Sequence, residues 1–305
     1  MRILILGAGG IGGYYGARLA EAGADVTWLV REKRQQILEA QGLRVKSVFG
    51  DIAMPVKTVT AATVKPEYDL IMLAPKAYDL EDSLQSLAGA LSGQALLVPF
   101  LNGLTHLDVL DARYGRQRVA GGVAQIGAML DVDGTVLHLN KIHTLTVGPR
   151  HPSQQALLEE FYALCKSARF DAEYTEHIEL QLWAKWTFLA TLAAATTLYR
   201  GPVGRIMATD RGADLVERMF RECLAVSAAY GFAVPEPVQA KARGVLLAPG
   251  SDFTASMYRD LVSGQRTEHE HVLGEMCKKG SEKGVDTPLM AAAWCHMQVE
   301  TAQRS

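Results

Sequence analysis

The chain has 305 residues, of which 49% are hydrophobic, enough for two domains of ordinary size with a core in each. Its 31 basic and 33 acidic residues nearly cancel, for a net charge of −2, which gives no reason to expect nucleic acid or an anionic membrane as partner. No apolar run is long enough to span a bilayer, and Arg2 leads straight into the first strand with no signal peptide ahead of it, so a cytoplasmic protein is expected.

The first element is a continuous apolar run, Ile3 to Leu6, which reads as a buried parallel strand. It ends in Gly7-Ala8-Gly9-Gly10-Ile11-Gly12, the G-x-G-x-x-G spacing, followed by an amphipathic helix from Ile11 to Ala22. Gly7 allows the tight turn, Gly9 lets a pyrophosphate approach bare backbone, and Gly12 lets the helix pack closely on the strand. Phosphates would sit on the unpaired N–H groups and positive end of that helix. Strand, glycines, helix and a second strand from Asp25 arrive in the order that dinucleotide binding requires. An acidic residue at the end of that second strand would hold a ribose 2′-OH. Here Arg31 stands there, followed by Glu32, Lys33 and Arg34. A guanidinium suits a 2′-phosphate, so NADPH is expected over NADH; a solvated, charged helix start is the other reading.

Asp69–Ala74 and Ala95–Phe100 read as further buried strands, each followed by polar residues where ligands bind in such sheets. Lys76 follows one and Asn102 the other. From Val119 to Val147 longer strands flank Asp131-Val-Asp-Gly134, a hairpin signal that suggests an antiparallel extension at the sheet's edge. His138 and His143 there look like surface residues. Phe170–Tyr174 is either one last strand or a connection. Beyond Glu176 only helices are expected, at about 178–199, 209–230, 235–247, 254–282 and 287–303. Thr287-Pro288 resembles an N-cap with proline at the first helical position. The fold class is therefore α/β: an N-terminal Rossmann-type domain with a mostly parallel sheet, residues 1–170, followed by an all-helical domain, residues 171–305, with a cleft between. Cys165, Cys223, Cys277 and Cys295 form no C-x-x-C pair and read as reduced core thiols. His269 and His271 are two apart, which on a helix points them to different sides, and no metal site is expected.

A nicotinamide enzyme reducing a ketone needs a proton donor and groups that fix the substrate. Lys185, in Leu182-Trp-Ala-Lys-Trp-Thr-Phe188, is either snorkelling to solvent or held in a dry cleft that would lower its pKa. Ser256 and Glu268 are twelve residues apart and would share one face of an uninterrupted helix.

Along nearly its whole length the chain resembles the ketopantoate reductase (2-dehydropantoate 2-reductase) family. The match is carried by Gly7–Gly12, Lys76, Asn102-Gly103, Trp183-Ala-Lys185, Ser256-Met257 followed by Asp260, Arg266-Thr-Glu268, and Gly284-Val-Asp-Thr-Pro288. The resemblance implies that Lys185 donates the proton to the ketone and that Glu268 is the acidic residue near cofactor and lysine. It implies that Ser256 binds substrate, that Asn102 contacts both cofactor and substrate, and that Lys76 lies by the nicotinamide. Ala128 corresponds to a cofactor-contacting alanine. The implied activity is reduction of 2-dehydropantoate to pantoate, as in pantothenate biosynthesis. The family's substrate asparagines, however, are replaced by Leu189, Ala193 and Val203. Thr196, Thr197, Gln181 and Arg259 are the candidates to replace the lost hydrogen bonds. Two other readings follow: reduction of a more hydrophobic 2-oxo acid or ketone, and a non-catalytic NADP-binding sensor, against which the retention of Lys185 and Glu268 argues. The partner is a small-molecule 2-oxo acid; a homodimer is left open.

Overall fold

The computed structural model describes residues 1–304, and their packing divides the chain into two units. The first comprises Met1–Leu101 and His106–Ile178; the second comprises Asn102–Thr105 and the chain from Glu179 onward.

The strands, in chain order, are β1 (Arg2–Leu6), β2 (Asp25–Leu29), β3 (Leu43–Lys46), β4 (Ile52–Met54) and β5 (Lys57–Val59). They continue with β6 (Leu70–Leu73), β7 (Leu96–Pro99), β8 (Gly121–Leu130), β9 (Val136–Gly148) and β10 (Asp171–Tyr174). One sheet, in the order β5-β2-β1-β6-β7, is parallel throughout. Every residue of β6 and β7 is buried, as an apolar run covered on both faces requires.

The β8–β9 hairpin turns at the expected place, but it does not extend that sheet. Strand β9 is long enough to serve a second sheet, β10-β9-β3-β4, with β8 paired antiparallel along its other side. The expected edge extension is thus a separate sheet, and a bridge between Leu97 and Val119 lies where the chain passes from β7 toward β8. Phe170–Tyr174 supplies its strand β10.

Helix α1 (Gly10–Glu21) lies against both sheets, and its glycines show how closely. A methyl group on Gly12 would overlap the Gly7 carbonyl and come within 2.9 Å of Ile5 Cγ2, and one on Gly16 would meet Trp28 Cζ2 at 2.7 Å. Toward the second sheet, a methyl on Gly10 would lie 2.8 Å from the Ala128 carbonyl oxygen, and one on Gly13 2.6 Å from Val136 Cγ2. Trp28 closes the contact by donating its indole N–H to the Gly12 carbonyl at 3.1 Å. Tyr14 and Tyr15, both fully buried, pack in the same core as Ile5, Val98 and Leu145.

His138 and His143 are not surface residues but buried ones, because a loop distant in sequence covers them. Phe49 stacks on the His143 ring at 3.8 Å, Tyr14 Oη lies 2.7 Å from His143 Nδ1, and Ser47 Oγ lies 2.9 Å from His138 Nδ1. Burial pushes the His143 pKa down.

The second unit contains the helices Val203–Met207, Gly212–Ala229, Glu236–Leu246, Ser256–Val262, Glu275–Glu282 and Pro288–Ala302, and nearly all of Ile178–Leu198. The long helix expected over 254–282 is broken. Ser256–Val262 ends at Gly264, where φ is +71° and the backbone N–H groups of Gln265 and Gly264 donate to the Asp260 and Leu261 carbonyls. That is a left-handed glycine stop. Residues 265–268 are irregular, and a π turn, Glu270–Gly274, precedes Glu275–Glu282. Pro288 does open the last helix, but its free N–H groups are capped from elsewhere. Glu222 accepts from Leu289 and Met290 at 3.1 and 3.0 Å, and the Thr287 side chain does not cap them. Of the cysteines, Cys165 and Cys223 are buried as expected, whereas Cys295 is exposed and Cys277 half-buried. Among the described residues no helix is long and apolar enough to cross a membrane.

Gly12→Ala should destabilise the protein by about 1–3 kcal/mol, the usual cost of overpacking a core, read as a lower urea midpoint. Gly9→Ala, whose new methyl would meet nothing within 4 Å, should leave that midpoint nearly unchanged. Equal shifts in the two variants would contradict the close seating of α1.

Candidate active site

In the first unit, the turn after β1 has the shape its glycines predict. Gly7 adopts φ +86°, open only to glycine without strain, and the space a side chain would take at Gly9 is empty to 4 Å. Helix α1 begins without a side-chain cap and without an acidic residue in its first turn, so its end is free to accept an anion. Ala128 is placed at this turn, its carbonyl against Gly10, at the register shift where β8 slips past β9. These residues fit a dinucleotide pyrophosphate. Arg31 is the exposed residue just before helix α2 (Glu32–Gln41). Arg34, next along, is already engaged, donating to the carbonyls of Ala8 at 3.2 Å and Gly134 at 2.9 Å. Arg31 is therefore the more exposed of the two guanidinium groups. Lys76, half-buried, directly precedes a short helical turn after β6.

The second unit brings together Asn102, Lys185 and Glu268. Glu268 is 5% exposed, a costly place for a carboxylate without partners. Asn102 donates its amide N–H to Glu268 Oε2 at 3.3 Å. Lys185 lies in the helix Ile178–Leu198. Burial pushes its ammonium from the usual 10.5 down to about 8, and the Glu268 carboxylate pulls the other way. An ammonium tuned close to neutral pH is a better proton donor than one at its ordinary value. Lys185 is half-buried, between a side chain that reaches solvent and one held dry.

Ser256 is not on one helix with Glu268, because the glycine stop at Gly264 separates them. It is the first residue of Ser256–Val262 and is half-buried. Gly264, just past the last apolar turn, was the signal for that break.

The positions where the resemblance expects asparagines divide in two. Leu189 is half-buried on the same face as Lys185, but Ala193 and Val203 are buried and present no accessible wall. Phe188, at i+3 from Lys185, joins Leu189 at i+4 on that face. From Ala190 to Thr197 every residue is buried. The candidate replacements do not supply the lost bonds. Thr196 and Thr197 donate to the Leu192 and Ala193 carbonyls one turn back, each at 2.7 Å. Arg259 donates through Nη1 to the Thr254 carbonyl at 2.9 Å, and Gln181 is exposed.

Known proteins resemble the chain along most of its length. A model of the family described as ketopantoate reductase PanE/ApbA matches residues 3–152, and that of its C-terminal region matches residues 177–299. The Bacillus subtilis oxidoreductase YkpB is 28% identical over 304 residues, with 100% of each chain covered. A 2-dehydropantoate 2-reductase of Streptococcus pyogenes is 27% identical, covering 98% of this chain and 96% of its own. The crystal structure of 2-dehydropantoate 2-reductase from Methylococcus capsulatus superposes with a TM-score of 0.89 at 26% identity, covering 100% of this chain and 98% of that one.

The lowered Lys185 pKa has a consequence for stability. Between pH 8 and 10.5 the unfolded chain holds a proton on Lys185 that the folded chain has released, so this group's contribution to stability rises with pH across that window. In urea melts, the stability of the wild type relative to Lys185→Met should therefore increase from pH 8 to 10. A difference independent of pH would show that Lys185 titrates normally in the folded protein.

Proposed function

The chain belongs to the ketopantoate reductase family of oxidoreductases, and from that premise we propose that it reduces a 2-oxo acid to a 2-hydroxy acid with NADPH. The observation that carries this reading is the buried Glu268 carboxylate, held by Asn102 and acting on the half-buried Lys185. In this reading the glycine turn of the first unit holds the pyrophosphate and Arg31 takes the 2′-phosphate. When bound, a reduced nicotinamide would supply the hydride to the ketone carbon, with negative charge developing on its oxygen. Lys185 Nζ stabilises the developing negative charge and gives up its proton to that oxygen, leaving a neutral amine that solvent reprotonates. Glu268, held by Asn102, keeps the ammonium charged until that moment. Ser256 and the second face of Asn102 are available to the substrate's polar groups.

For the substrate side chain, Phe188 and Leu189 beside Lys185 favour an apolar group. A hydroxyl facing them loses its water bonds unreplaced, at about 1–3 kcal/mol, whereas each buried methylene gains about 0.8 kcal/mol. Ketopantoate, which carries a hydroxyl, is the second reading, favoured by the family's name.

NADPH oxidation with a panel of 2-oxo acids of graded side-chain polarity tests both. A branched-alkyl 2-oxo acid should exceed ketopantoate in kcat/KM, and Leu189→Asn should narrow the gap. A hundredfold wild-type preference for ketopantoate would overturn the apolar reading, and no turnover with any of them would favour a cofactor-binding sensor. Arg31→Asp should weaken NADPH binding roughly tenfold or more, the scale of a charge-assisted contact, and affect NADH far less. Equal losses would remove Arg31 from 2′-phosphate recognition. Lys185→Ala should lower kcat at least about a hundredfold with cofactor affinity little changed, the usual scale for losing a general acid.

A further inference from the structure

Lys185 is followed by Trp186, whose side chain leaves the accessible face and is 1% exposed. Its indole N–H donates to the Val272 carbonyl at 3.0 Å. Val272 lies in the π turn Glu270–Gly274, and that turn starts from Glu268: the backbone N–H groups of His271 and Val272 donate to the Glu268 carbonyl at 3.1 and 2.9 Å. A π turn is wider than an α turn and rarely stable on its own, so tertiary contacts must hold it, and such turns recur at functional sites. Here the contacts are visible. Trp294 donates to Glu270 Oε2 at 3.1 Å, and a methyl on Gly103 would lie 2.8 Å from the His271 carbonyl oxygen. The helix of Lys185 and the segment of Glu268 are thus joined by one buried hydrogen bond a single residue from the ammonium. Asn102 holds the carboxylate end.

We propose that Trp186 is a positioning residue for the reaction: its indole N–H on the Val272 carbonyl fixes the π turn against the Lys185 helix and so sets where the Glu268 carboxylate stands relative to the ammonium. The proposal rests on the reading of Lys185 as proton donor. Glu268 is the charge that acts on Lys185. Of the neighbouring titratable groups, two carboxylates and one imidazole have other partners. Glu270 is held by Trp294 and Gln298, Glu275 by Thr105 and Lys278, and His269 by Thr267, while His271 follows within the turn. Letting the π turn drift would weaken the pull of Glu268 and leave the burial of Lys185 in place, so the ammonium would lose its proton at lower pH.

The test is a pH titration of cofactor-free protein labelled with 13C at lysine Cε, with the Lys185 signal assigned by its loss in Lys185→Met. Trp186→Phe should lower the Lys185 midpoint by about half a pH unit or more, the scale on which one nearby charge acts, and move it toward that of Glu268→Gln. The double variant Trp186→Phe with Glu268→Gln should shift no further than Glu268→Gln alone, because the tie acts through that carboxylate. Phe220→Leu, at a buried ring elsewhere in the second unit, is the control for lost packing; it should leave the midpoint unmoved. Should Trp186→Phe melt, benzothienylalanine at position 186 keeps the ring shape and removes only the N–H, and the same shift is expected. An unmoved midpoint in both Trp186 variants, or a shift that adds to that of Glu268→Gln, would overturn the proposal. Wild-type kcat in Lys185→Ala would instead defeat the reading of Lys185 as acid, and with it the catalytic meaning of the tie, whatever the titration shows.

Discussion

The first unit depends on one steric constraint: helix α1 must lie against two sheets at once. Glycine at positions 12 and 16 brings it onto β1 and β2, and glycine at 10 and 13 brings it onto β8 and β9. The turn beside it leaves open space at Gly7 and Gly9, so one run of glycines serves packing and phosphate access together. The carbonyl of Ala128 meets the glycine turn at the point where β8 slips past β9.

The second unit solves a different problem, that of keeping a carboxylate and an ammonium in a nearly dry place. A buried charge is tolerated when partners and hydrogen bonds offset its desolvation. Glu268 has Asn102 as donor and Lys185 as counter-charge. Irregular backbone delivers it: a glycine stop, a stretch without repeating structure and a π turn in succession. A continuous helix would have carried residue 268 along the line of the helix Ser256–Val262.

Much of this was legible in the residues. The buried strands β1, β6 and β7 announced themselves as apolar runs, β2 through its place after the glycine helix, the hairpin through Asp133-Gly134, and helix α1 and several helices of the second unit through their spacing and flanking glycines and prolines. What stayed hidden depends on partners distant in the chain. Strands β3 and β4 are short, and β3 carries Arg44 and Lys46, so pairing of β3 with β9 and of the two with each other makes them strands. His138 and His143 look polar and exposed until Phe49 is laid over them. In the candidate site, Lys185, Glu268 and Asn102 were marked beforehand, but not the apolar partner Phe188, because a lone aromatic residue in a hydrophobic helix gives no sign of which way it faces. The break at Gly264 was within reach of sequence reasoning, since a glycine after an apolar turn is an ordinary helix stop.

The four residues Asn102–Thr105 belong to the helical unit although the chain before and after them builds the other one. That interleaving limits how the protein can be recombined. A fragment starting at Glu179 would lack the amide that holds Glu268 and the hydroxyl of Thr105 that donates to Glu275. The helical half is therefore not a cassette that a gene fusion can transplant with one junction. Exchange between relatives should preserve its electrostatics only when the short segment travels with it.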